Sequence, residues 1–126
     1  MSPIDATGKG EPMPIGSTDL LQGTLQILIL KALLAESTHG YGIARWIEHT
    51  TGDVLRVEEG SLYPALRRLE DKGYVSSDWG LSENNRRARY YSLTLAGRRQ
   101  LREEALAWSR FSGAVTRVMR AAPALP

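Results

Sequence analysis

Cysteine is absent from the 126 residues, which excludes disulfides, thiolate zinc sites and cysteine nucleophiles. The lack is compatible with a reducing cytosol. No apolar run approaches the roughly 18 residues that a membrane-spanning helix needs. The opening MSPIDATGKGEPMPIGS has no basic stretch followed by an apolar one, so no signal peptide is expected. Histidine is scarce: His39 and His49 stand ten residues apart with no third ligand near them. A metal site needs three or four convergent ligands, so they read as a turn residue and a surface residue, and neither metal nor other cofactor is expected. Phosphate-cradling and nucleophile-elbow motifs are missing as well. Glu58-Glu59 and Glu103-Glu104 are adjacent pairs that point different ways on a helix. No catalytic group has a partner at usable spacing, and no enzyme is expected.

Lysine is rare too. Of sixteen basic residues only Lys9, Lys31 and Lys72 are lysines. The thirteen arginines suit phosphates and guanine edges, because the guanidinium offers a rigid planar fork. A GC-rich genome would also raise that count, but it would not cluster it. Residues 1–60 hold four basic groups against eight acidic, whereas residues 61–126 hold twelve against six. The length suits one domain with one core, and 42% hydrophobic with 24% charged residues is ordinary for a globular protein.

Along the chain, residues 1–17 read as a disordered, Pro/Gly-rich arm. A first helix capped by Ser17, Thr18 or Asp19 runs to about Glu36. Leu21, Leu25, Leu28 and Ala32 share one face, but Ile27, Ile29, Leu30, Leu33 and Leu34 spread around it. A helix apolar nearly all round is covered on several sides, which suggests contact with a second subunit. A turn at residues 37–40 leads to a second helix ending near Thr51, with Ile43, Ala44 and Ile47 inward. A third helix begins near Glu59 to Ser61 and stops at Gly73, a C′ glycine. Leu62, Ala65, Leu66 and Leu69 recur at helical spacing toward the core, with Pro64 placed in the first turn. Two extended segments, Tyr74–Gly80 and Ala88–Leu93, flank a polar loop and form a hairpin with a long, mobile tip. Thr94 caps a last helix over about Leu95–Arg120, whose roughly 26 residues make a rod of about 39 Å. Leu101, Ala105, Trp108, Ser112, Val115 and Met119 alternate steps of four and three along it, an a/d seam suited to a partner copy. Residues 121–126 should fray.

The expected architecture is therefore mainly α with a small β-hairpin: a winged helix-turn-helix over residues 18–94 and a long dimerisation helix over 95–120. The third helix shows Ser61, Tyr63, Pro64, Arg67 and Arg68 on its outer face, and the hairpin offers Asn85, Arg86, Arg87 and Arg89. A helix sized for a major groove beside an arginine-loaded hairpin is the layout of a winged-helix DNA binder. The competing reading is a solvated helix face and a soluble loop, on a winged-helix module that binds protein without sequence-specific DNA recognition.

Four segments, LLQGTLQILILKAL (Leu20–Leu33), HGYGIARWIE (His39–Glu48), VEEGSLYPALRRLEDKGYV (Val57–Val75) and NNRRARYYSLTLAGRRQL (Asn84–Leu101), occur in an order that resembles the PadR family of bacterial transcriptional regulators. The similarity spans roughly Asp19 to Arg120, and the single short C-terminal helix is similar to the family's smaller subgroup. The resemblance implies a cytoplasmic winged-helix homodimer that binds a near-palindromic operator in double-stranded DNA, usually as a repressor. It implies that Gly60 to Pro64 open the recognition helix, that the wing at Arg86, Arg87 and Arg89 touches DNA, and that Tyr41 approaches a backbone phosphate. The dimer seam would comprise Leu21, Leu25 and Leu28 with Leu101, Ala105, Trp108, Val115 and Met119. Trp108 has two readings: it fills that seam, or, with Phe111, it lines a pocket where a planar apolar inducer stacks. Ser109 and Ser112 are the only small hydroxyls near it in sequence.

Overall fold

The computed structural model of the protein describes residues 13–15 and 19–123, with the backbone alone over 13–15 and 19–22. Its elements run β1 (Met13–Ile15), α1 (Asp19–Ala35), β2 (Thr38–His39), α2 (Gly40–Thr50), β3 (Leu55–Val57), α3 (Glu59–Asp71), β4 (Val75–Leu81), β5 (Arg87–Leu93) and α4 (Leu95–Arg120). The architecture is the winged helix anticipated from the sequence: α1–α3 form the helical body, and a three-stranded antiparallel sheet of order β2-β5-β4 carries the wing.

α1 is the central element. It packs on α2, α3, α4 and β5, burying Leu25, Ile29, Leu30, Ala32 and Leu33. Much of its apolar character is thus used up inside one protomer, while Leu34 stays exposed and Ile27 and Leu28 are half-buried. From α2 come Ile43 and Ile47, from α3 Leu62, Ala65, Leu66 and Leu69, and from the sheet Val75 and Tyr91. Removing this much apolar surface from water is the main stabilising term of so small a domain.

Three local features differ from the sequence reading. Residues 13–15 form β1, parallel to β3 in register Met13↔Leu55 to Ile15↔Val57, where an arm without structure was expected; the rest of that arm, like residues 124–126 of the tail, lies outside the described residues. Thr38–His39 is a strand edge paired with Tyr90–Tyr91, so the turn before α2 extends the hairpin into a sheet. Pro64 sits in the second turn of α3, not the first, because the helix already starts at Glu59. There it removes the N–H that would bond the Gly60 carbonyl.

The junction between α3, the hairpin and α4 fixes the angle between them. α3 ends in a Schellman motif: Gly73 (φ 81°) donates to the Glu70 carbonyl at 2.9 Å, and Tyr74 to Leu69 at 2.9 Å. The Thr94 hydroxyl accepts the Gly97 N–H at 3.0 Å, capping α4, and donates to the Gly73 carbonyl at 2.7 Å. Gly97 packs so tightly that a Cβ there would lie 2.0 Å from the Tyr74 carbonyl oxygen. Past Leu101 no residue of α4 is buried in the protomer.

Candidate nucleic-acid interface

α3 and the wing converge because they share a sheet face. In the β4–β5 register Ser77 lies opposite Tyr91 and Trp79 opposite Arg89. Alternation puts Ser77, Trp79, Arg87, Arg89 and Tyr91 on the side that meets α3. Between them runs an open cleft of about 660 Å³ lined by His39, Tyr41, Tyr63, Trp79, Asn84, Arg86, Arg87 and Arg89, among others. A smaller cleft of about 330 Å³ adds Arg67 and Glu70. The geometry thus brings Tyr41, Tyr63, Arg67, Arg86, Arg87 and Arg89 onto one surface. Arg68 and Pro64 are exposed on α3 and Ser61 is half-buried, but none of the three lines these clefts. Asn85 stands at the tip outside them.

The tip is tighter than the long loop the sequence suggested. Ser82 donates to the Arg86 carbonyl at 2.8 Å, and Asn85 donates back to the Ser82 carbonyl at 2.8 Å. Asn85 takes a left-handed φ of 61°, a conformation asparagine tolerates. The turn therefore holds Arg86 and Arg87 at the mouth of the cleft.

Electrostatically the arginines divide. Among the described residues, ion pairs join Arg56 to Glu48 and Arg89 to Glu70, each at 3.7 Å. Arg67, Arg68, Arg86 and Arg87 meet no described carboxylate at that range and remain available to phosphates. Arg87 lies over the Trp79 ring with its guanidinium carbon 4.4 Å from the centroid; the stack orients the fork without neutralising it. Sequence reasoning missed Trp79, Glu70 and Ser77. The hairpin register, which sets Trp79 across from Arg89, carried the signal.

Tyr63 reaches back over the start of α2: a Cβ on Gly40 would lie 2.6 Å from its hydroxyl oxygen. Burial, and secondly the Glu59 carboxylate, hold its phenol above the usual 10.0. It therefore stays a neutral hydroxyl able to donate to a phosphate or a base edge. His39, expected only as a turn residue, caps α2 by accepting the Gly42 N–H on Nδ1 at 3.0 Å. It also stands edge-on to Tyr90, with centroids 5.3 Å apart.

The seam residues fall into two groups. Leu25 is 1% exposed and Leu101 7%, so both belong to the protomer's own core and cannot face a partner. Leu28 is half-buried against that core, and the Leu21 side chain lies outside the described residues. Ala105 is exposed, as are Trp108 (46%), Phe111 (56%), Val115 (43%) and Met119 (77%). Trp108 and Phe111 are 6.1 Å apart. They border a cleft of about 370 Å³ with Gly23, Thr24, Ile27, Glu104 and Ala107. Polar groups at this cleft thus come from Thr24 and Glu104, not from the serines, and the Ser112 hydroxyl bonds to the Ser109 carbonyl at 3.3 Å.

Residues 29–103 match the family described as "Transcriptional regulator PadR-like family". The chain belongs to that family. It is a DNA-binding transcriptional regulator and not an enzyme. A transcriptional regulator from Clostridium thermocellum has a similar structure, with 28% identity, a TM-score of 0.72, and coverage of 79% of this chain and 97% of that one. A PadR-like transcriptional regulator from Bacillus cereus shares 26% identity with a TM-score of 0.70, over 83% of this chain and 100% of that one. An uncharacterised 37.1 kDa protein in a transposon of Streptomyces fradiae is 43% identical over 90 residues, 71% of this chain but only 24% of that protein. No helix of the PadR-like chain among the described residues is long and apolar enough to cross a membrane, and no described cluster of His, Asp or Glu could hold a metal ion.

Proposed function

We propose that the protein works in the cytoplasm, at the nucleoid, as a homodimeric repressor on a near-palindromic operator. α3 enters the major groove, with Tyr63 and Arg67 toward base edges and Ser61, Pro64 and Arg68 along the groove wall. Asn85, Arg86 and Arg87 lie against the flanking phosphates, and Tyr41, 68% exposed, meets the backbone at the start of α2. The single observation that carries this reading is the convergence of carboxylate-free arginines from α3 and from the wing on one surface. A protein-binding module would need a broad apolar face on α3, whereas Tyr63 is the only large apolar side chain exposed there among the described residues.

Pairing of two copies uses the exposed stripe Ala105, Trp108, Val115 and Met119 of α4. It sets two recognition helices about 34 Å apart, one helical turn of DNA. The cleft beside Trp108 and Phe111 would hold a planar apolar inducer, stacked on the rings with Thr24 and Glu104 at its edge, and would couple ligand to DNA by changing how the two rods cross.

The test is a salt titration of binding to a duplex selected from a random pool, with mixed-sequence DNA beside it. Affinity should fall steeply with salt as counterions are released. Replacing Arg86 and Arg87 together by alanine should weaken binding to both DNAs alike and lower the salt slope by about 1.8. Tyr63→Ala or Arg67→Ala should instead narrow the gap between them. A flat salt response of the parent would overturn the DNA reading.

A further inference from the structure

Arg89 differs from the other arginines of the wing. Its Nε donates to the Ser77 hydroxyl at 2.8 Å. That hydroxyl donates in turn to Glu70 Oε2 at 2.5 Å, and the same Oε2 lies 3.7 Å from Arg89 Nη2. Ser77 and Arg89 are on adjacent strands of the wing, and Glu70 is in the last turn of α3. The Arg89 guanidinium carbon is 5.4 Å from the Trp79 ring centroid, so the aromatic limits the fork from the other side. Among the described residues this triad is a polar link between recognition helix and wing; Val75 and Tyr91, buried on the same sheet face, supply an apolar one.

We propose that Arg89 is a positioning residue that latches the wing to α3 through Ser77 and Glu70, and not one of the phosphate contacts. Two physical reasons favour the latch. First, the charge on Arg89 is already balanced by Glu70; drawing the guanidinium to a phosphate would leave that carboxylate uncompensated beside DNA. Second, the fork donates from Nε to a hydroxyl while Nη2 stands within ion-pair range of the carboxylate, a fixed planar spacing that a lysine ammonium does not reproduce. The pair is partly exposed, with side chains 43% and 34% accessible, and such pairs add little to fold stability. What the triad sets is the angle at which Arg86 and Arg87 are offered relative to α3.

The inference rests on the DNA reading above, and the tests separate the two. Binding of Arg89→Ala, Arg89→Lys, Glu70→Gln and the double variant Glu70→Gln/Arg89→Ala is measured against salt, using the duplex selected with the parent protein, with thermal melts run alongside. The latch predicts that Arg89→Ala and Arg89→Lys bind about 10-fold more weakly, as for loss of one charged hydrogen-bond partner. Their salt slopes should match the parent, whereas Arg87→Ala lowers the slope by about 0.9. Glu70→Gln should also weaken binding, although it removes a negative charge near DNA, and the double variant should be no weaker than Arg89→Ala alone. Tighter binding by Glu70→Gln, near-parental binding by Arg89→Lys, or a slope lowered by about 0.9 in Arg89→Ala would each overturn the latch and return Arg89 to the phosphate contacts. A parent with no salt-dependent binding to any duplex would instead overturn the DNA reading.

Discussion

The two ends of α4 face opposite circumstances. Its first turns are locked to the domain by Thr94, Gly97 and Leu101, with Gly97 and Leu101 buried. The later turns present Leu106, Trp108, Phe111, Val115, Val118 and Met119 to solvent. Exposure means something different at the wing. Arg86 and Arg87 are equally uncovered, but a charged group in water is at rest there. A row of large apolar side chains along a helix is not, and such a patch marks an association surface. One helix thus joins a part finished within the protomer to a part that the protomer leaves uncovered.

The sharpest way to break this contrast is at the locked end. Gly97→Ala drives a methyl into the Tyr74 carbonyl, which is backbone and cannot move aside. We expect a loss of about 3 kcal/mol, seen as a lower midpoint in urea. At the open end, Trp108→Glu should leave the protomer folded but convert dimers to monomers by sedimentation, and weaken operator binding by about 100-fold through loss of the second half-site. If Trp108→Glu instead unfolds the protein at low concentration, the open end belongs to the protomer's own fold and the contrast fails. A smaller effect belongs to Gly40→Ala. The added methyl meets the far end of the Tyr63 side chain, which can swing away, so stability should change little. The displaced hydroxyl should lower discrimination between selected and random DNA by about 1 kcal/mol. The smallest effect is a pH dependence. Since the folded protein holds the Tyr63 phenol above 10.0, its contribution to stability is complete below that value and fades as pH rises through the folded one. Tyr63→Phe should therefore lose less stability than the parent on alkaline titration, and Tyr91, raised in the same direction, supplies the remaining slope.

Much of this was legible from residue spacing. The Leu62–Leu69 repeat, the stop at Gly73 and the cap at Thr94 are local signals, and each defined a boundary to within a residue or two. The arginines of the outer α3 face and of the wing were found for the same reason: exposure follows from the pattern of what is buried. The misses are non-local. Leu25 and Leu101 have the spacing of a seam, but only the packed structure shows that α1 and the start of α4 turn them to the same core. β2 is two residues long and exists because β5 lies beside it. The Glu70–Ser77–Arg89 triad joins three elements, and no periodicity within any one of them announces it.

Thr94 has a consequence beyond holding its neighbours in place. Its hydroxyl serves two helices at once, closing the start of one and the end of the other, so no slack segment separates the reading helix from the rod. If a second copy pairs along that rod, as proposed above, torque that it applies, or that a molecule wedged at the rod's middle applies, would arrive at the reading helix as a rotation. The grip on an operator would then loosen without touching a single arginine.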